Sequence, residues 1–286
     1  MKKILITGAN GQLGSEIKVL ASNYSEFEFV FTDIEEFPLG NQDEIKSNFK
    51  WIAPDVVINC AAYTAVDKAE QDQEIANVVN HLAVATLAQL CDESQAKFIH
   101  ISTDYVFDGN SPVAYTETDT PNPQSVYGKT KLEGEKACLS LCPDSIIIRT
   151  AWVYSEFGAN FVKTMIRLMT ERDAIGVVND QIGSPTYAAD LAQVILTILT
   201  SEKWNPGIYH YSNAGEISWF EFATAIQEIA GLSCEVNGIP ASNYPTPAQR
   251  PAFSLLDKSK IEKVYGIKTI PYKESLVQMI GKLKDS

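Results

Sequence analysis

The segment Lys2-Lys3-Ile4-Leu5-Ile6-Thr7-Gly8-Ala9-Asn10-Gly11-Gln12-Leu13-Gly14 says most about how this chain is organised. An apolar run, Lys2–Ile6, enters three glycines and then a helical pattern over Gln12–Ala21. Glycines at these positions allow a tight turn, close backbone approach to a pyrophosphate, and close packing of helix on strand. The helix start offers free N–H groups and a partial positive charge to phosphates. The spacing, Gly-x-x-Gly-x-x-Gly, is one residue longer than the usual dinucleotide fingerprint. A glycine triplet alone also suits a purely structural turn. Its place between a strand and a helix is what favours the phosphate reading.

Outward from that turn, short apolar runs alternate with helical patterns. Phe27–Phe31, Val56–Asn59, Phe98–Ser102 and Ile146–Arg149 are rich in Ile, Val and Phe, as in strands buried on both faces. Helices are expected over Asp43–Ala53, Glu74–Glu93 and Ser125–Leu141, with Asn41 and Glu44 as a capping box for the first. This alternation predicts an α/β fold, a Rossmann-type doubly wound parallel sheet. After about Thr150 the pattern changes. Helices are expected at Asn160–Glu171, Ala188–Thr200 and Trp219–Ala230, the last capped by Ser218 and Glu221, with strands at Ala174–Val178 and Gly207–Tyr211. A proline-rich segment from Pro240 to Pro251 excludes helix or central strand. The expected division is a dinucleotide-binding domain over 1–150. Residues 151–286 would form mainly a smaller, discontinuous α/β substrate-binding domain, with some segments returning to the first.

The 286 residues carry a net charge of −13, which opposes nucleic acid as a general partner. No apolar stretch approaches the roughly 18 residues of a membrane helix, and the run after Met1 is too short for a secretory core. A cytoplasmic protein is expected. Cys60, Cys91, Cys138, Cys142 and Cys234 are scattered without zinc spacing and read as buried thiols. An anionic small substrate would need a local basic patch.

Asp33 closes the second strand nineteen residues after Gly14 and can accept hydrogen bonds from an adenosine ribose. No Arg or Lys in the glycine turn offsets it against a 2′-phosphate, so the local chemistry leans towards NADH, with NADPH allowed if Asp33 turns aside. Tyr127 and Lys131 stand four apart on one helical face. A neighbouring ammonium favours the phenolate and brings a phenol, with pKa about 10, closer to neutral use. Thr103 ends the fourth strand, where doubly wound sheets place their sites.

The turn, Asn59–Thr64, Ser102–Phe107 and the Tyr127/Lys131 pair resemble the extended short-chain dehydrogenase/reductases. Ala65–Glu70, Arg149–Tyr154, Asn179–Gln181 with Gly183 and Pro185–Thr186, and Tyr244–Pro251 resemble the dTDP-4-dehydrorhamnose reductases within them. The resemblance spans nearly the whole chain. It implies cofactor contacts from Gly8, Gly11, Gln12, Leu13, Gly14, Asp33, Ala62, Tyr63, Thr64 and Lys131, with NADPH or NADH as cofactor. Substrate contacts would come from Lys68, Thr103, Asp104, Tyr127, Trp152 and Arg250, with Thr103, Tyr127 and Lys131 catalytic. The implied reaction is reduction of a keto group on a nucleotide-sugar. An epimerase shares the Tyr/Lys pair, and the regulatory beta subunit of methionine adenosyltransferase resembles the same family without acting as a reductase. A dehydratase is opposed by Asp104-Tyr105, where dehydratases place an Asp-Glu pair. Some members bridge a homodimer through magnesium. Here Glu16 matches one position, Asp190 stands where Glu is usual, and no C-terminal third acid matches, so no residue is assigned to a metal. Monomer and homodimer both remain open.

Overall fold

The computed structural model describes residues 1–285. Its centre is a six-stranded sheet. Five strands come from the first half: β1 (Lys2–Thr7), β2 (Phe27–Thr32), β3 (Val56–Asn59), β4 (Lys97–Thr103) and β5 (Ile146–Thr150). The strand Gly207–His210 adds to the edge beside β5, and across the sheet the order runs on through β4, β3 and β1 to β2. Every pairing is parallel.

Alternate residues of each strand feed two different cores, the period-2 consequence of the pleat. Ile4, Ile6, Val56, Ile58, Ile146 and Ile148 face the helices Gln12–Leu20 and Ala188–Thr200. Leu5, Val57, Phe98 and Ile147 face the other way, onto Gln42–Ile52, Ala83–Ser94 and Val126–Leu141. Both layers of helices are therefore specified by strands with no polar face. Asn41 caps its helix by accepting from the backbone of Asp43 and Glu44, but the expected reciprocal box does not form: Glu44 accepts from the Asn41 side-chain amide at 2.7 Å, and the Asn41 backbone N–H goes to the Pro38 carbonyl. Ser218 and Glu221 do form their reciprocal box.

One expected element differs. The helix read as continuous over Glu74–Glu93 is Gln73–Asn77, a π-helical turn over Val78–Leu82, then Ala83–Ser94. After Thr150 the elements are shared out. The helix Ala188–Thr200, the strand Gly207–His210 and the helix Ser259–Tyr265 pack with the large sheet. A separate core gathers the helices Phe161–Glu171, Trp219–Ala230 and Tyr272–Asp285 against a parallel pair, Ala174–Val178 with Glu235–Ile239. The proline-rich segment makes one 3₁₀ turn, Ala241–Asn243. The chain then crosses to the first half, where Tyr115 bridges Leu256 and Pro251 packs on Gly109. Among the described residues, no helix is long and apolar enough to cross a membrane.

Candidate active site

A cleft of about 600 Å³ opens at the C-terminal ends of the parallel strands. Its floor is the glycine turn. Gly8 has φ +65°, and a Cβ there would lie 2.8 Å from the backbone of Ala61 in the loop after β3. Gly14 lies outside the lining, where a Cβ would lie 2.6 Å from Ala9 Cα, so its absence lets the helix seat against the turn. The helix Gln12–Leu20 starts with no side-chain cap and no acid in its first turn. Its N–H groups are left for an anion. Gly11, Gln12 and Leu13 line the cleft, as do Ala62, Tyr63 and Thr64 opposite. Asp33 lines its end, its carboxylate accepting from Asn10 N at 2.7 Å and Ile34 N at 2.8 Å. A cradle that a Cβ would fill, beside free helix N–H groups, fits a dinucleotide.

Tyr127 and Lys131 enter the cleft from the helix Val126–Leu141. Ser125 caps that helix by accepting from Gly128 N, and Glu70 accepts from Val126 N at 2.8 Å. The expected pairing of phenol and ammonium is corrected here. Lys131 Nζ turns towards β4, donating to the Ile101 carbonyl at 2.6 Å and standing 3.3 Å from His100 Nε2. Burial pushes the Tyr127 phenol up to about 12, with Thr103's hydrogen bond pulling down and the Asp104 charge pushing up. Burial likewise brings Lys131 down to about 8, opposed by the Glu135 charge. Desolvation is the largest influence on the phenol, and the ammonium four residues on does not lower it.

Thr103 and Asp104 lie just behind the phenol rather than in the cleft lining. Thr103 Oγ1 donates to Asp104 Oδ1 at 3.0 Å. The other carboxylate oxygen of Asp104 is buried without a hydrogen-bond partner, and burial raises this acid to about 6.

The remaining assigned residues, Lys68, Trp152 and Arg250, lie outside the cleft lining, as a rim beside Tyr63 and Val153. Arg250 grips Asp67 with two nitrogens, at 3.0 and 2.7 Å, and Asp67 also accepts from Ala248 N. The Arg250 cation is thus already paired. Lys68 is exposed and 3.9 Å from Asp72, whose carboxylate accepts the Tyr63 hydroxyl at 2.8 Å. Trp152 holds a left-handed backbone, φ 49°, and stacks on Trp219 with centroids 3.6 Å apart.

Three residues that the sequence reading passed over shape the site. Asn80, on the π-helical turn, accepts from Tyr63 N and donates to Tyr63 O and the Thr130 hydroxyl. It fixes the loop that walls the cleft; an irregular helix at a site is a common functional signature. Asn59 and His100 lie under Lys131. Asn59 stood within a quoted motif, whereas His100 sits mid-strand with no local signal.

Glu16 is buried beside Glu156, which with burial raises its carboxyl to about 7; it accepts from Ser155 at 2.7 Å, and Lys282 Nζ stands 4.0 Å away. Asp190 accepts from Asn213 and Ser275. A resident ammonium and a carboxylate committed to neutral donors do not fit a divalent ion, and among the described residues no group of three candidate ligands gathers.

Residues 1–285 match the family model described as the RmlD substrate binding domain. This chain belongs to that family. A dTDP-4-dehydrorhamnose reductase of Aggregatibacter actinomycetemcomitans is 43% identical, with 96% of this chain and 97% of the relative aligned. Among solved structures, a dTDP-4-dehydrorhamnose reductase from Clostridium acetobutylicum superposes with TM-score 0.95 at 42% identity, covering 99% of both chains. One from Bacillus anthracis, solved in complex with NADP, gives TM-score 0.93 at 38% identity over 99% of this chain and all of that one. The RmlD-family match covers both the glycine floor and the rim, so it extends well beyond the dinucleotide cradle.

Proposed function

We propose that this chain reduces the C4 keto group of dTDP-4-dehydro-L-rhamnose to give dTDP-L-rhamnose, using NADPH or NADH, for polysaccharide precursor synthesis. Tyr127 carries the reading: a buried phenol at the wall of a dinucleotide-shaped cleft, at the C-terminal ends of the strands. A nicotinamide held in this cleft would supply the hydride. Tyr127 gives its proton to the oxygen forming at C4, and Thr103, by turning its hydroxyl proton away from Asp104, would steady that oxygen. Its raised pKa keeps Tyr127 protonated, and so able to donate, across neutral pH. Lys131 would hold the cofactor ribose and lend its positive charge to the site when Tyr127 gives up its proton. Gly8, Gly11, Gln12, Leu13 and Gly14 seat the pyrophosphate, Asp33 the adenosine ribose, and Ala62, Tyr63 and Thr64 the opposite wall. Asp104, Trp152, Lys68 and Arg250 meet the sugar nucleotide. Residues 1–150 act as the dinucleotide-binding domain and 151–286 mainly as the substrate side. We place the enzyme in the cytoplasm, as monomer or homodimer.

Mixing the protein with dTDP-4-dehydro-L-rhamnose while following NADH and NADPH absorbance tests this. Stoichiometric cofactor loss is expected, since a reductase consumes it whereas an epimerase recycles it. Tyr127→Phe should keep cofactor binding and lose about 10²–10⁴-fold in turnover, the usual contribution of a positioned acid. Near-normal turnover in that variant removes the assignment.

A further inference from the structure

Beneath the cleft, four buried side chains run in single file from the glycine turn to Lys131. Thr7 ends β1, Asn59 ends β3, and His100 lies in β4; the strand register sets Thr7 beside Asn59 and Asn59 beside His100. Thr7 Oγ1 is 2.6 Å from Asn59 Oδ1, Asn59 Nδ2 is 3.1 Å from His100 Nδ1, and His100 Nε2 is 3.3 Å from Lys131 Nζ. All four are buried.

Donor counting makes this file directional. A neutral imidazole has one N–H and one lone pair, an ammonium only donates, and an amide has a donor end and an acceptor end of the same shape. In the observed orientation the Asn59 amide nitrogen donates to Nδ1. The ring proton is then on Nε2 and points at Lys131, which accepts it only as a neutral amine. With the amide turned end for end, Nδ1–H donates to the Asn59 carbonyl and Nε2 offers its lone pair. Lys131 is then an ammonium, and Asn59 Nδ2 donates to the Thr7 hydroxyl.

We propose that His100 is a positioning residue whose tautomer follows the charge of Lys131, with the Thr7–Asn59–His100 file reversing direction as the ammonium becomes an amine. Each direction matches one donor to one acceptor at both the Asn59–His100 and the His100–Lys131 contact. A buried lysine therefore changes charge without setting donor against donor at the imidazole, which would otherwise carry a desolvation cost. The geometry stands by itself; only the consequence for turnover rests on the role of Lys131 given above.

The other groups around Lys131 do not supply this. Tyr127, Glu135 and Cys138 share its helix, and Glu135 is committed to Arg149 of β5 and Ser102 of β4. Burial together with the Lys131 charge keeps His100 neutral, far below its usual pKa. Lys131, brought to about 8, changes state in an accessible range.

With three histidines in the chain, ¹⁵N imidazole spectra of the full-length protein are tractable. On titration from about pH 6 to about pH 10, bracketing the lysine's shifted pKa, His100 should stay neutral while its proton moves from Nδ1 to Nε2. A single tautomer throughout, or an imidazolium within that range, overturns the proposal. This arm needs no substrate, so it decides even if the reductase reading fails. In turnover, His100→Gln keeps one donor and one acceptor and should leave the alkaline limb of kcat in place. His100→Phe should move that limb down by about one pH unit, a tenfold shift in the lysine's proton equilibrium. Equal loss at every pH with an unmoved limb marks a merely structural histidine and likewise overturns it.

Discussion

Arg149 closes on Glu135 at 2.8 and 2.6 Å with both side chains 2% exposed, whereas Arg250 closes on Asp67 at 3.0 and 2.7 Å with the pair 26% and 39% exposed. The two forks have the same chemistry and nearly the same lengths. The first ties β5 to the helix Val126–Leu141, behind the cleft, and Phe107 covers the guanidinium at 5.0 Å. The second ties the proline-rich segment to the short helix Val66–Ala69 at the rim. Solvent separates them. A buried pair cannot lose one partner without leaving a charge in a poorly polar interior, while water replaces most of what an exposed pair gives up. Arg149 is thus a strut, and Arg250 is a latch whose charge water can reach. Asp104 makes a third case, a buried carboxyl with no cation at all.

The largest expected effect is on the strut. Arg149→Ala should cost about 3–5 kcal/mol of stability in a denaturant titration, because Glu135 is left buried and unpaired. A loss below about 1 kcal/mol would erase the distinction between the forks. Asp104→Asn should act in the opposite direction. Burial raises the folded-state pKa of Asp104 from 3.8 to about 6, so the fold favours the protonated acid. Its contribution is intact below about pH 4 and is lost as pH rises through about 6. The amide should therefore stabilise the protein by up to about 3 kcal/mol at pH 8 and by almost nothing at pH 4. Melting temperatures at the two pH values test this, and equal shifts at both would break the comparison. Smallest in stability is Arg250→Ala, at less than about 1 kcal/mol, the range of exposed pairs. Its KM for the sugar nucleotide should nevertheless rise about tenfold, the value of one lost charge-assisted contact. An unchanged KM would reduce the latch to a surface tie.

Much of the frame was legible in order along the chain. Strands buried on both faces are continuous apolar runs, and Val56–Asn59, Ala174–Val178, Ala188–Thr200 and Trp219–Ala230 fall where their patterns place them. The glycine turn is also local, because φ at Gly8 and the contact at Gly14 are settled within a few residues. The π-helical turn at Val78–Leu82 was not legible: one extra residue per turn barely disturbs an apolar stripe, and Asn80 reveals its purpose only against Tyr63, seventeen residues earlier. Nor was the strand Glu235–Ile239, where only Val236 and Ile239 are apolar, none of the five is buried, and the partner lies far back in the chain.

By itself the sequence determined the α/β alternation, the cradle and which residue types could do the chemistry, because periodicity, turns and helix starts are short-range properties. Only the tertiary structure decided what each charged group faces: Lys131 turned to His100, Arg250 latched to Asp67, Asp104 left unpaired. The reason is that pKa and pairing follow from burial and from neighbours brought in by other strands, and neither is written in the spacing along one helix.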